Sequence, residues 1–427
     1  MAEIKPIRAL RYTDKAGSIS LNVCPPYDII SDEERAALIK GSPYNLVRLE
    51  KPEGEDKYAA ASDLLETWLE KGIIARDEEE CIFVYGEDFE VKGERFSLKG
   101  IICLCKLYPF SEGVVLPHEN TLSKAKADRF ELMKSTLCNF SSIYGLYVDE
   151  EAEITSVVKA AAARAPEQCF TDDEGVTHTL WRIDDSAETA KIIRAMASKQ
   201  IFIADGHHRY ETSINFRNHL RQQGKAKEGD ACDFVMMMLV AMESDGLVVF
   251  PTHRIVRGVE NYNEKNVLSA CEKSFDIAEQ KGAAAILPAL KTAYEQNKTA
   301  FAFYVGADKW YMLTLKDTTE LDAICSGCSD ALKGLDVNVL HTLVLERAMG
   351  IDKENMAKQI NLTYTRNAEE AIAAVDSGEA NCSFVMNPTR VSEIRDVAAA
   401  GEKMPQKSTY FYPKLITGLV MNKFGEI

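Results

Sequence analysis

The chain has 427 residues, of which 46% are hydrophobic and 27% charged, and its formal net charge is −16 at pH 7. This composition is typical of a globular protein, and the length predicts two or three domains. The acidic balance excludes a broad nucleic-acid-binding surface, because phosphate contacts need clustered lysine and arginine. Residues 1–10 lack the apolar core of a signal peptide, and the apolar runs are too short to cross a bilayer. We therefore expect a cytoplasmic protein without membrane contact.

The N-terminal third, residues 1–149, is predicted to be an α+β region that contains an antiparallel meander. Its apolar alternation, interrupted at Gly86, predicts strands at residues 4–12, 81–85, 89–91 and 95–108. Ser31 and Glu34 have the spacing of a capping box at the start of a helix. Helices are predicted at residues 31–41, 57–71 and 123–137.

The middle region, residues 150–258, is predicted to form the core of the protein. Helical periodicity is found at residues 150–164 and 187–198, and again from residue 209 to about 224. Strands are predicted at residues 177–183, 201–204, 234–242 and 247–250. The last two are expected to form a hairpin, because Ser-Asp-Gly at residues 244–246 is typical of a tight turn.

The C-terminal region, residues 259–427, alternates helical and strand patterns. Helices are predicted at residues 283–297, 337–349 and 368–375. Strands are predicted at residues 300–305, 310–315, 360–364 and 382–386. The predicted fold class for the whole chain is therefore α+β (mixed α/β), with α/β segments on both sides of a central core.

The strongest functional signal lies where the predicted strand at residues 201–204 meets the following helix. Asp205 and Gly206 interrupt the apolar run, which predicts a strand, a tight turn and a helix N-terminus. A helix N-terminus offers backbone N–H groups and the positive end of a dipole, so it attracts phosphate or carboxylate. Glycine at residue 206 would let the backbone approach a ligand closely.

Polar side chains at this turn strengthen the prediction of a site. His207, His208 and Arg209 can donate hydrogen bonds to an anion, and Asp205 can hold a metal ion or orient an imidazole. The alternative is that Asp205 only caps the helix and that the histidines lie on the surface.

Further polar clusters lie at the ends of other predicted elements, where functional residues tend to occur. They include a turn with Asp28, a helix entry with a His-Glu pair that can supply a general base, a strand end with His and Arg, and a Lys-Ser-Thr loop. We expect these segments to converge on the turn at Asp205. The residues concerned are Asp28, His118, Glu119, Thr121, Arg129, His253, Arg254, Lys407, Ser408, Thr409 and Lys414. Capping, turn formation and a solvated loop are the alternatives for these clusters.

The motif Ala-Asp-Gly-His-His-Arg-Tyr-Glu-Thr at residues 204–212 resembles a bacterial family known as domain of unknown function 1015. The strings at residues 25–28, 118–121, 251–254 and 404–414 extend this resemblance over nearly the whole chain. The turn also resembles the phosphate-binding turn of the ParB/sulfiredoxin superfamily, which includes partition proteins, sulfiredoxin and free-serine kinases. This sequence has Gly206 and His207 where sulfiredoxin carries its catalytic cysteine, which argues against sulfinic acid reduction.

The resemblance implies a ParB/sulfiredoxin-like nucleotide-binding core at residues 150–258 and ATP-dependent phosphorylation of free L-serine. Gly206–Arg209 and the Lys-Ser-Thr loop are then expected to bind the phosphates of ATP or ADP, with Mg²⁺ at Asp205. Glu119, with His118 beside it, is the candidate base.

Other functions stay open from the sequence. A ParB-like nucleotide switch and a metal-dependent hydrolase that uses the histidines are the alternatives. The expected partners are a small-molecule substrate and a nucleotide rather than nucleic acid, and a homodimer is possible.

Overall fold

The computed structural model of the protein describes residues 1–121 and 123–425, and contacts within the chain divide it into two compact units. Unit 1 consists of Met1–Pro117, Thr121–Val248 and Pro413–Ile427. Unit 2 consists of His118–Asn120 and Val249–Tyr412. The sequence placed boundaries near residues 149 and 258, whereas residue 149 lies inside unit 1 and the long segment of unit 2 begins at Val249.

Unit 1 is built on a mixed sheet with helices against it. Its strands are β1 (Ile4–Lys5), β2 (Leu10–Tyr12), β3 (Ile74–Arg76), β4 (Ile82–Val91), β5 (Glu94–Lys106), β6 (Val115–Leu116), β7 (Cys138–Asn139), β8 (Ile143–Tyr147), β9 (Gln168–Thr171), β10 (Thr177–Ile183), β11 (Ile201–Asp205) and β12 (Phe234–Ala241). Its helices are α1 (Asp32–Gly41), α2 (Val47–Glu50), α3 (Lys57–Glu70), α4 (Ser123–Thr136), α5 (Glu153–Ala162), α6 (Ser186–Met196) and α7 (His207–Gln222).

The strand order of the large sheet in unit 1 is β6-β11-β8-β12-β5-β4-β10-β9, with β1 also paired to β5. The β11–β6 and β12–β8 pairs are parallel, and the other pairs are antiparallel. One face of this sheet packs its alternating apolar side chains against α5 and α6. The predicted mixed α/β character is therefore confirmed.

Unit 2 contains a second sheet, which is antiparallel. The strands of this part of the chain are β13 (Val248–Val249), β14 (His253–Val256), β15 (Phe275–Lys281), β16 (Ala300–Tyr304), β17 (Lys309–Leu315), β18 (Leu362–Thr365), β19 (Cys382–Met386) and β20 (Phe411–Tyr412). The order of the antiparallel sheet is β15-β17-β16-β19-β14-β18, and β13 pairs with β20 apart from it. A last strand, β21 (Asn422–Lys423), returns to unit 1 and pairs with β7.

Two helices of unit 2, α9 (Ala283–Glu295) and α14 (Ala368–Asp376), pack against this sheet. The α-helices of the unit are α8 (Glu264–Cys271), α9 (Ala283–Glu295), α10 (Thr319–Ile324), α11 (Asp330–Lys333), α12 (Asp336–Val339), α13 (Lys353–Lys358), α14 (Ala368–Asp376) and α15 (Val391–Ala399). A π-helical segment, Leu340–Glu346, continues directly from α12. The helix predicted at residues 337–349 is thus present but adopts π-helical geometry over most of its length.

The predicted three-strand meander of the N-terminal region is wrong, because β4 runs without interruption through Gly86. That residue pairs with Lys99 of β5 and Thr179 of β10. A Cβ atom at Gly86 would lie 2.9 Å from the Trp181 ring, so glycine here makes room for an indole. The first predicted strand is likewise divided into β1 and β2, whereas the capping box at Ser31 and Glu34 is confirmed.

The predicted hairpin between residues 234–242 and 247–250 is also wrong. In the large sheet, β12 pairs with β5 on one side and β8 on the other, so both of its edges are occupied. The segment at residues 251–254, predicted to follow a strand end, instead leads into β14, which begins at His253. In the described part of the chain, no helix is long and apolar enough to cross a membrane.

Glu87 of β4 is a fully buried carboxyl group in unit 1. The Tyr85 hydroxyl donates to Glu87 Oε1 at 2.9 Å and lies 2.7 Å from His178 Nδ1. Glu87 Oε2 has no hydrogen-bond partner among the described residues. Burial raises the pKa of Glu87 to about 8, and the carboxylate of Asp172 acts in the same direction, while the hydrogen bond from Tyr85 opposes it.

This burial predicts a pH-dependent stability. Because the folded pKa lies above the unfolded value, Glu87 stabilises the fold below the unfolded pKa, and that contribution is lost as the pH rises towards 8. Glu87→Gln stays neutral, so relative to the parent it should gain on the order of 3 kcal/mol in unfolding free energy between pH 5 and pH 8. Urea unfolding at both pH values measures this gain. Glu90→Gln, at an exposed position of the same strand, is the control. The same pH dependence in the Glu87 variant and the parent would contradict the assignment.

Candidate functional site

The junction between β11 and α7 has the predicted strand–turn–helix geometry. Strand β11 is buried up to Ala204 and pairs with β8 and β6. Gly206 follows with a φ of 91°, in the left-handed region, and α7 begins at His207. Gly206 has no side chain with which to cap the helix, so the first turn of α7 presents backbone N–H groups and the positive end of the helix dipole.

The Arg209 side chain folds back across this turn. Its Nη1 donates to the backbone carbonyl of Ser142 at 2.5 Å, and its Nη2 donates to Asp205 Oδ2 at 2.7 Å. A Cβ atom at Gly206 would lie within 2.9–3.0 Å of three guanidinium atoms of Arg209. Glycine is therefore required at residue 206 for two reasons, the positive φ and the space that the guanidinium occupies.

The Asp205 carboxylate joins two cations. Lys414 Nζ lies 2.6 Å from Oδ1, while Arg209 occupies Oδ2. Burial raises the pKa of this carboxyl, but the attraction of Lys414 and Arg209 outweighs it and leaves the pKa of Asp205 well below its usual range. Asp205 is therefore ionised at neutral pH and positions both cations.

Asp205 is the residue that the sequence predicted as a Mg²⁺ ligand. Both of its oxygens accept from cations, so a divalent ion would have to compete with Lys414 and Arg209. Among residues 1–121 and 123–425, no cluster of three or more His, Cys, Asp or Glu side chains has metal-binding geometry.

A second ion pair flanks the first turns of α7. Lys126 of α4 lies 2.6 Å from Glu211, whose Oε2 also accepts from the Thr121 hydroxyl at 2.8 Å. Partial burial lowers the pKa of His208. The positive charges of Lys126 and Arg209 lower it further, whereas the carboxylates of Asp28 and Glu211 raise it. His208 is consequently neutral at pH 7 and can act as donor or acceptor.

Glu50 and Arg129 form a buried pair beside Arg209. The Ser141 hydroxyl donates to Glu50 Oε1 at 2.9 Å, and Arg129 Nη1 donates to the Glu50 backbone carbonyl at 2.7 Å. The Tyr27 ring covers the Arg129 guanidinium at 4.0 Å. Burial raises the pKa of Glu50, although the charges of Arg129 and Arg209 oppose that shift.

A cavity of about 40 Å³ lies between these groups in unit 1. Glu50, Arg129, Ser141 and Arg209 form its polar end, and its other lining residues are mostly apolar. The sequence analysis included Arg129 but missed Glu50 and Glu211. Glu50 could have been noticed as an acid directly after the apolar residue Leu49, at the end of α2.

Asp28 belongs to unit 1, where its carboxylate acts on His208. The remaining predicted site residues belong to unit 2 and lie partly together there. His118 Nε2 is 3.0 Å from the Thr409 hydroxyl, and its carbonyl accepts from the backbone of Met404. Ser408 is buried and donates to the Pro405 carbonyl, whereas Lys407 is exposed. His253 Nδ1 accepts from the Met386 backbone at 3.1 Å. Glu119 also belongs to this unit, and its catalytic role stays a prediction.

The fold and the junction define a mixed α/β protein in which a strand of the large sheet ends in a glycine turn at a helix N-terminus, with Arg209 of that helix and Lys414 of the C-terminal segment beside it. The chain belongs to the family described as "Protein of unknown function (DUF1015)", whose model matches residues 4–338. This confirms the family predicted from the motifs, while the relation to ParB and sulfiredoxin stays a prediction. A comparison with curated proteins found no match.

Similar solved structures include a free serine kinase in complex with AMP. It shares 15% identity at a TM-score of 0.37, over 76% of this chain and 91% of that chain. A mutant free serine kinase in complex with ADP shares 13% identity at a TM-score of 0.38, over 76% and 91%. A C-terminally truncated SbnI from Staphylococcus aureus shares 10% identity at a TM-score of 0.36, over 75% and 86%.

The geometry at Gly206 predicts the effect of a single methyl group. Gly206→Ala should lower the unfolding free energy of unit 1 by about 1–2 kcal/mol, because alanine is strained at a positive φ. A further loss is expected because the added methyl group displaces the Arg209 guanidinium. Gly113→Ala is the matched control, since Gly113 has a φ of 68° and nothing within 4 Å of an added Cβ. Urea unfolding compares the two variants. Equal losses of unfolding free energy in Gly206→Ala and Gly113→Ala would show that Arg209 does not need the space above Gly206.

Proposed function

We propose that the junction of β11 and α7 binds the phosphates of a nucleotide, ATP or ADP. The observation that carries this proposal is the turn itself, where Gly206 exposes a helix N-terminus and Arg209 lies across it. Helix N-termini preceded by glycine bind phosphate through backbone N–H groups and the helix dipole. The first turn of α7 offers this arrangement at the end of a buried strand.

Side chains of unit 1 add positive charge to the same place. A guanidinium has five N–H donors, and the hydrogen bonds of Arg209 to Ser142 and Asp205 use two of them, leaving three. Lys414 Nζ lies 2.6 Å from Asp205 Oδ1. Asp205 therefore holds an arginine and a lysine in fixed positions, which lowers the cost of ordering them when an anion binds.

We further propose that the protein transfers a phosphoryl group from the nucleotide to the hydroxyl of a small molecule. Free L-serine is the acceptor suggested by the family resemblance, and a ParB/sulfiredoxin-like core is the fold it suggests for the nucleotide-binding part. Phosphoryl transfer depends on positioning and on positive groups around the transferred phosphoryl group. The junction in unit 1 supplies such groups, and Mg²⁺ would accompany the nucleotide.

The proposal is tested with the full chain, ATP or ADP, Mg²⁺ and a panel of amino acids. A phosphorylated product with L-serine, and none with L-alanine, supports a kinase that acts on a hydroxyl. Nucleotide binding with no phosphorylated product would retain the phosphate site and reject the transfer reaction. Absence of nucleotide binding would reject both.

Arg209 is predicted to bind phosphate before and during the reaction. Arg209→Ala should therefore weaken nucleotide binding as well as turnover. Arg209→Lys should recover only part of the affinity, because an ammonium cannot replace the planar fork of the guanidinium. Calorimetric titration with ATP and ADP measures both effects. Arg95→Ala, at an exposed arginine of unit 1, is the control, and unchanged affinity in Arg209→Ala would place the phosphates elsewhere.

Glu119 is predicted to act as the general base. Glu119→Gln keeps the size of the side chain but removes its basicity, so kcat should fall by roughly 10²–10⁴-fold while nucleotide affinity is retained. Steady-state kinetics combined with nucleotide titration separates these effects. Full activity in the variant would remove Glu119 from this role.

A further inference from the structure

Arg254 places a charged side chain inside the sheet of unit 2. Strand β14 lies between β18 and β19, and Arg254 pairs in register with Tyr364 on one side and Phe384 on the other. Phe384 in turn stacks on Phe303 of β16, with ring centroids 4.8 Å apart. Arg254 is 1% exposed, so a full positive charge lies in a row that is otherwise aromatic.

The partners of this guanidinium are neutral. Nη1 donates to the Thr252 carbonyl, Nη2 donates to the Lys407 carbonyl at 3.0 Å, and Nε lies 3.3 Å from His341 Nε2. His341 stays uncharged, because burial and the nearby Arg254 hold its pKa well below its usual range. Within residues 1–121 and 123–425, no carboxylate forms an ion pair with Arg254.

A buried charge without a counterion is expensive, so buried arginines are normally paired with acids. Burial lowers the pKa of Arg254 to about 10, with only the Tyr364 ring opposing the shift, and the group remains a cation at neutral pH. The guanidinium has five N–H donors and its three hydrogen bonds leave two. A bound anion would neutralise this charge and accept hydrogen bonds from the two remaining N–H groups.

A small cavity of about 10 Å³ lies next to Arg254. Asn387, Thr389 and Ser408 line it, together with Asp336 of α12 and Glu393 of α15. This volume holds about one water-sized group. An occupant must therefore be small, and a nucleotide or a peptide is too large.

Asp336 and Glu393, the two acids that line the cavity, do not cancel the charge of Arg254. Glu393 accepts from both the backbone and the guanidinium of Arg390, so its charge is already paired. Burial raises the pKa of Asp336 to about 7, and Glu393 acts in the same direction while Arg390 opposes it. Below pH 7 Asp336 is mainly neutral, and Arg254 then dominates the electrostatics of the cavity.

We propose that unit 2 contains a binding site for a halide anion, such as chloride or bromide, with Arg254 as its principal ligand. The anion accepts from the two remaining N–H groups and neutralises the guanidinium. Arg254 also connects β14 to the loop around Lys407, because its Nη2 donates to the Lys407 carbonyl. The backbone of Lys407 is left-handed, with a φ of 57°. All the residues that line the cavity belong to unit 2, and the inference does not depend on the nucleotide site proposed in unit 1.

Thermal unfolding of the full chain at constant ionic strength tests the site in solution. Chloride and bromide should raise Tm relative to formate and gluconate, which are too large for the cavity, and the rise should grow with the logarithm of halide concentration. The rise should weaken as the pH increases through 7, because an ionised Asp336 repels the anion.

Two variants and one control separate the site from a general salt effect. Arg254→Met should lose the anion-specific rise, whereas Arg347→Met, at a surface arginine of unit 2 paired with Glu320, should keep it. Asp336→Asn should keep anion binding and lose its pH dependence. If Arg254→Met does not fold, the Asp336 variant and the unmodified protein still decide the question.

Crystals grown in bromide give a direct readout. The proposal expects an anomalous peak within hydrogen-bond distance of the Arg254 guanidinium. A water without anomalous signal, or a Tm that is the same in all the anions, would overturn it. A bromide peak without any anion dependence in solution would show binding at crystal concentration only and would also count against the site.

Discussion

The ion pairs of Asp205 with Lys414 and Arg209 hold the candidate site of unit 1 together. They join the end of β11, the first turn of α7 and a segment that follows Asp205 by 209 residues. Removal of Asp205 would leave two partly buried cations without their counterpart, which costs more than an ion pair contributes. Backbone pairing also fixes the last segment of the chain to unit 1. Strand β21 pairs with β7, and Met421 forms an isolated β-bridge with Leu10.

The buried ionisable groups of this protein are accommodated in different ways. Asp205 stays ionised between two cations, whereas Glu50 has arginines nearby but still has a raised pKa, because burial outweighs them. Glu87 forms no ion pair with a lysine or arginine among the described residues, and burial raises its pKa to about 8. Carboxyls can become neutral in this manner, but an arginine cannot do so within the physiological range. Arg254 therefore needs an external anion, where Glu87 needs only a proton.

The sequence predicted the parts of the fold that depend on local patterns. The apolar run before Gly206 and the capping box at Ser31 are local, and both elements formed as expected. The errors arose where distant contacts decide the outcome. Gly86 was interpreted as a turn, although its role is to accommodate Trp181 from another strand, and the edges of β12 are occupied by β5 and β8 rather than by the segment that follows it.

The candidate site shows the same limit. Arg209 and Asp205 could be predicted together, because they are four residues apart across one turn, but the pairing of Asp205 with Lys414 has no local signature. Glu50 went unnoticed because a single acid after an apolar stretch is common on protein surfaces.

Arg209 and Arg254 show why residue type alone does not define a site. Arg209 follows strand β11, and Arg254 lies near the start of strand β14. Both belong to motifs rich in hydrogen-bond donors, and both are predicted from the sequence as site residues. In the structure, Arg209 shares the Asp205 carboxylate with Lys414 and lies over a glycine turn, so an anion must add to an existing network. Arg254 has carbonyls and a neutral histidine, so an anion there completes a network that lacks its negative member. The first arrangement suits a ligand that binds and leaves, and the second suits one that remains as part of the fold.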